Sequence, residues 1–172
     1  METIVLGGGC FWCVEAVFLN LKGVRSIKPG YSGGNISNPT YREVCSGKTG
    51  HAEIVIIEYF PEIIELNVLL AVFFATHDPT TLNKQGGDVG TQYRSVIFTS
   101  DDSQAEIAKR AIELANDDYS DDIVTTVEPL GEVFIAEDYH HNYFAKNKET
   151  PYCNAVIAPK IAELKKKFSG LI

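Results

Sequence analysis

The chain has 172 residues, 45% of them hydrophobic, and a formal net charge of −8. Its length and apolar content fit one domain with a real core, and its negative charge argues against nucleic acid or an anionic membrane surface as a partner, since both are polyanions. The longest apolar run, Val68 to Ala75, is far short of a bilayer span, and the opening METIVLGGG lacks the basic flank and apolar core of a secretory signal, so a cytoplasmic protein is expected.

No repeat, low-complexity tract or linker divides the chain, and a single catalytic domain over residues 1–172 is expected. Thr3 to Leu6 reads as a short buried strand. It leads through glycines into a helix over Phe11 to Leu21, with Val14, Val17, Phe18 and Leu21 on one stripe. Val24 to Lys28 predicts a second strand and PGYSGGNISNP a loop. HAEIVIIEYF, from His51 to Phe60, is β-rich and apolar on both faces, which predicts a central strand. A helix over Ile63 to Ala75, a strand over Ser95 to Thr99, a helix over Ser103 to Asn116 capped by Ser103 or Asp102, and a strand over Ile123 to Glu128 follow. Shorter helices are expected at Asp138 to Lys146 and at Pro159 to Phe168, the latter ending in lysines that suit the negative end of a helix dipole. The order β-α-β-β-α-β predicts an α+β two-layer sandwich, a ferredoxin-like split βαβ core with a mixed sheet and additional helices and loops.

Four cysteines in a chain of this size suggest catalysis or metal rather than a structural disulfide scaffold. Cys10 falls at the strand-to-helix turn, where free backbone N–H groups and the helix dipole favour a thiolate. Cys13 lies one turn on, close enough for a disulfide if the first turn distorts, so Cys10 and Cys13 could also form a redox dithiol. Zinc on Cys10, Cys13, Cys45 and His51 matches no common ligand spacing, and no metal is expected. Phe11 extends the apolar stripe, whereas Trp12 falls off it and suits the wall of an apolar pocket. On the strand from His51, alternation puts Glu53 on the same face as Val55 and Ile57. Burial there would raise the carboxyl pKa and let Glu53 act as a general acid; a Glu at the strand's start that reaches water is the other reading.

GCFWCVEA at residues 9–16, YSGG at 31–34, PTYREVCSGKTGHAE at 39–53, HDPTTLNKQGGDVGTQYRS at 77–95 and AEDYHHNYF at 136–144 together resemble peptide methionine sulfoxide reductases of the A type, over nearly the whole chain. The resemblance implies that Cys10 attacks the sulfoxide sulfur and ends as a sulfenic acid, with Glu53 as proton donor. Tyr41 and Tyr93 would hydrogen-bond the sulfoxide oxygen, Asp88 would order the same site through water, and Phe11 and Trp12 would hold the substrate methyl group. Cys153, in TPYCNAVIAPKI, falls where many members carry the resolving cysteine, in a C-terminal segment over residues 147–172 whose Pro151 suggests a mobile loop; Cys13 is the alternative resolver. Cys45 reads as a packed, non-participating thiol, and the adjacent His140 and His141 as surface or helix-end residues. The implied cycle needs no bound cofactor, only an external dithiol reductant from a thioredoxin-like partner, and acts on methionine sulfoxide in proteins or free; a monomer is expected. Two other classes remain open on the residues alone: a general dithiol–disulfide oxidoreductase using Cys10 and Cys13, and a noncatalytic module that binds methionine-like side chains.

Overall fold

In the computed structural model, which describes residues 1–172, the apolar run behind the glycines forms β1 (Glu2–Gly8) and leads into α1 (Phe11–Phe18). There follow β2 (Val24–Ser32), α2 (Tyr41–Cys45), β3 (Ala52–Tyr59), α3 (Leu66–Thr76), a small hairpin of β4 (Lys84–Gln85) and β5 (Asp88–Val89), β6 (Ser95–Thr99) and α4 (Asp102–Asn116). The chain ends with β7 (Thr126–Pro129), β8 (Val133–Ile135), α5 (Tyr143–Lys146) and α6 (Ala158–Lys167). Six strands make one mixed sheet in the order β7-β6-β1-β3-β2-β8; only β6 and β7 run parallel. The α+β expectation holds, and β3 lies between β1 and β2 as its two-sided apolarity requires.

Alternation sorts the strand side chains onto two faces. Ile4, Leu6, Val55, Ile57 and Ile97 join Phe11, Val14 and Phe18 of α1 and Leu69, Leu70 and Phe73 of α3 in the main core. Val5, Ile54, Val96 and Phe98 point the other way, where Leu130 and Val133 pack on them. No helix is long and apolar enough to cross a membrane.

Several elements differ from the sequence reading. β2 runs past Pro29 to Ser32, because Pro29 contributes its carbonyl, which accepts from Ala136 N at 2.9 Å, and no donor is asked of it. The helix cap before α4 is Asp101, whose carboxylate accepts from Gln104 N at 2.8 Å. α2 and β8 had no signal in the periodicity, being too short for one; α2 is set by a capping box in which Thr40 and Glu43 satisfy each other's backbone N–H. The helix expected over Asp138 to Lys146 is broken by Asn142, in left-handed backbone at φ 55°, into a 3-10 turn at Asp138–His140 and α5. The mobile loop expected around Pro151 is instead helical, continuous over residues 151–167. Its Cys153–Ile157 stretch widens into a π turn, a form that accommodates the missing N–H of Pro159 one turn later.

Candidate active site

Two chain segments meet at the N-terminus of α1. β1 is followed by Gly9, at φ 94°, where an added Cβ would also fall 2.6 Å from Cγ of Gln85; only glycine meets both demands. The turn places Cys10 as the residue that caps α1, with no side-chain capping bond of its own. Glu53, near the start of β3 and opposite Tyr31 on β2, supplies that bond: its Oε1 accepts from Phe11 N at 3.0 Å. Glu53 Oε2 is buried without a partner. The carboxyl is 1% exposed, and burial pushes its pKa up to about 8 against the pull of the Phe11 N–H, with the negative groups Asp88 and Cys13 adding to the rise. Of the two sequence readings of Glu53, the buried one holds.

Cys10 departs from expectation. Burial, the neighbouring Cys13 thiol and the charge of Glu53 push its pKa up, well away from a resting thiolate. A helix N-terminus is worth about 0.3–1 kcal/mol to an anion, at most about 2, less than taking an unpaired charge out of water costs. Cys13, also buried, is pulled down chiefly by the hydrogen bond from the Cys10 thiol. Its Sγ also lies 3.5 Å from the Tyr152 hydroxyl. Cys10, Cys13 and Cys153 share one buried cluster with Ala16 and Ile157, against which Trp12, Tyr93 and Tyr152 pack; all four cysteines are free thiols.

The aromatic residues form a cage around Phe11 and Trp12. Tyr41, first residue of α2, stacks near both, with ring centroids 6.1 Å from each. Tyr93 ends the 3-10 turn Thr91–Tyr93, and the hydroxyls of Tyr41 and Tyr93 are both held in the phenol form by burial and by the charge of Glu53. Cys45, the last residue of α2, is half-buried, and burial raises its pKa. Asp88, on β5, enters through Tyr152, whose hydroxyl donates to Asp88 Oδ2 at 2.9 Å.

Three site residues, Glu15, Tyr143 and Tyr152, are absent from the sequence reading, and a fourth, His140, is not the surface or helix-end residue expected. His140 is completely buried, and its Nδ1 accepts from Trp12 Nε1 at 2.9 Å. Tyr143 lies flat on the Trp12 ring, centroids 3.7 Å apart and planes within 6°. Its backbone N–H donates to the buried Glu15 at 3.3 Å, and burial raises the Glu15 pKa. Tyr152 meets Trp12 edge-on at 5.9 Å. The motif AEDYHHNYF contains two of the four, but the helix assumed there hid the turn that sends His140 inward.

The family profile of peptide methionine sulfoxide reductase matches residues 2–171. The chain is 54% identical over 170 residues to the peptide methionine sulfoxide reductase MsrA of Trichodesmium erythraeum, covering 98% of this chain and 96% of that one. The chain belongs to the MsrA family. It is a peptide-methionine (S)-S-oxide reductase, which sets aside the general dithiol–disulfide oxidoreductase and the noncatalytic module. Among solved structures, reduced Mxr1 of Saccharomyces cerevisiae superposes with a TM-score of 0.84 at 35% identity, covering 88% of each chain. The same yeast protein in complex with Trx2 matches at a TM-score of 0.60 and 24% identity, over 83% of this chain and 84% of that one, a likeness of fold.

Proposed function

We propose that the buried pair of Cys10 and Glu53 carries out the reduction, on methionine S-sulfoxide free or within proteins. The supporting observation is Glu53 itself: an acid pinned to the backbone beside Cys10, with one oxygen unpartnered and a pKa near 8 that keeps its proton at neutral pH. As Cys10 Sγ attacks the sulfoxide sulfur and forms an S–S bond, the S–O oxygen takes the proton of Glu53 and the Cys10 thiol proton replaces it on the carboxylate; the hydroxyl then passes to Cys10 Sγ as the S–S bond breaks, so that methionine leaves and Cys10 becomes a sulfenic acid. The Tyr41 and Tyr93 hydroxyls donate to the oxygen as charge builds on it, Asp88 orders the oxygen site through water, and Phe11 with Trp12 holds the methyl group. Because burial favours the thiol, Cys10 gives up its proton only as the polarised substrate arrives.

Cys153 then attacks the sulfenic acid, forming a Cys10–Cys153 disulfide and releasing water; Cys13 is the alternative resolver. An external dithiol reductant reopens the bond in two exchange steps. Crystallisation of yeast Mxr1 with Trx2 supports a thioredoxin-like protein in that role. No bound cofactor takes part, and a reducing compartment such as the cytoplasm suits the cycle. The four central strands, β6-β1-β3-β2 with β3 between β1 and β2, fit a ferredoxin-like split βαβ core, the sheet forming one layer and the helices the other.

Rapid mixing of the reduced enzyme with each sulfoxide epimer, followed by sulfenic-acid trapping and mass spectrometry, tests the chemistry. One methionine per enzyme from the S epimer, with the trapped adduct on Cys10 in a Cys153→Ser background, is the expected result. An adduct on Cys13, or methionine formation by Cys10→Ser, overturns it.

A further inference from the structure

Trp12 is the only tryptophan in the chain. One face of its indole is covered by Tyr143, in the short α5 near the C-terminus. Its N–H edge meets His140 Nδ1 at 2.9 Å. An indole N–H only donates, so His140 must be neutral with the proton on Nε2. That second nitrogen is buried and has no partner. The imidazole is lodged among Phe11, Tyr41 and Tyr139, with ring centroids 5.0, 4.3 and 4.0 Å away. A buried histidine with an unpaired N–H is an expensive way to fill apolar space; a leucine would fill it without that cost. What histidine provides, and leucine cannot, is an acceptor in the plane of the indole. A bond at that edge fixes the ring's angle without adding cover to either face.

We propose that His140 is a positioning residue for substrate binding: it holds Trp12 by the indole edge, so that the wall of the methyl pocket keeps its place when Tyr143 gives way to substrate. The proposal rests on Trp12 forming that wall, as in the function proposed above. Burial also lowers the pKa of His140 to about 4, so Nδ1 stays an acceptor throughout the neutral range. His140 acts through Trp12 and has no part in proton transfer to the sulfoxide.

Three substitutions of His140, with a Trp12→Phe background, test this by steady-state kinetics and by NMR of the one indole N–H. In the wild-type protein that resonance is expected to be shifted downfield and slow to exchange. His140→Leu should lose both features and raise KM for the S-sulfoxide by about 10-fold, the scale of a misfitted methyl pocket, while kcat changes less. His140→Asn, whose side-chain oxygen reaches close to the Nδ1 position, should keep the protected resonance and a near-normal KM; His140→Gln, one carbon longer, should not. In a Trp12→Phe background, His140→Leu should add nothing to KM, because the group it serves is gone. An unchanged indole resonance in His140→Leu overturns the proposal, and so does an equal KM penalty with and without Trp12. If His140→Leu does not fold, the contrast between Asn and Gln decides. A wild-type enzyme whose turnover is indifferent to Trp12→Phe would sink the pocket reading instead, and the indole resonance would still report the His140 bond.

Discussion

Cys10 and Glu53 sit at the ends of the two central strands β1 and β3, and each is set by backbone: Cys10 by the turn at Gly9, Glu53 by the Phe11 N–H. Tyr143 of α5 and Tyr152 and Cys153 of the C-terminal segment reach the same centre, and their ties are of another kind. They are a ring stacked on Trp12, a phenol on Asp88, a backbone N–H on Glu15 and, further along α6, Lys160 on the Thr76 carbonyl at 3.0 Å. The floor of the site cannot shift without unpairing a sheet, whereas the cover is held by contacts that can break one at a time. The difference matches the proposed division of labour, in which the reducing step rests on the fixed pair Cys10 and Glu53 and the resolving step on Cys153 of the cover, packed in the same buried cluster as Cys10.

The sharpest test separates the two regions by their cysteines. Cys10→Ser is expected to lose methionine formation by at least about 10³-fold, the scale seen on removing a nucleophile. Cys153→Ser should leave the first equivalent of methionine untouched and stop turnover with a dithiol protein as reductant. A Cys153→Ser enzyme that cycles at the wild-type rate would transfer the resolving role to Cys13 and leave the cover without a chemical task.

Glu53→Gln comes next. It should slow the first reduction by about 10²-fold or more, the usual contribution of a positioned acid, and the wild-type rate should itself fall as pH rises through about 8. Stability carries the same signature. The folded carboxyl holds its proton up to about 8, against an ordinary value of 4.5. Between those values the folded state binds a proton that the unfolded chain has released, so the contribution is complete below 4.5 and is lost as pH rises through about 8. The loss is on the order of a few kcal/mol, and Glu53→Gln should abolish it in denaturation curves measured from pH 5 to 9. A pH-independent wild-type protein would mean that the floor is open to water.

The same contrast explains what could be read without a structure. β1, β3 and α1 repeat their apolar pattern over several residues, so the alternation that made Glu53 conspicuous among Val55 and Ile57 also placed it correctly. The position of Cys10 is legible but its charge state is not, because the helix dipole is visible in sequence order, while the burial that outweighs it comes from residues as distant in the chain as Cys153 and Ile157 and is reinforced by the Cys13 thiol and the charge of Glu53. The cover was the least legible part. His140 turns inward in a three-residue turn with no period to detect, and Asn142 breaks the expected helix through a positive φ that few residues announce. Pro151 reads as a loop signal but opens a helix, a position where its missing N–H costs nothing.

The smallest expected effect probes the cover alone. Tyr152→Phe deletes the hydroxyl that donates to Asp88 at 2.9 Å and touches Cys13 Sγ at 3.5 Å, and keeps the ring against Trp12. Losing one such bond costs about 1 kcal/mol, equivalent to about a fivefold rise in local opening if the segment opens as a unit. Amides over residues 150–157 should therefore exchange with deuterium several-fold faster, while those of β1 and β3 keep their wild-type protection. Freed of that bond, Cys153 should also capture the Cys10 sulfenic acid no more slowly than before. Equal acceleration in β3 would show that cover and floor open together, and the mechanical distinction between them would fail.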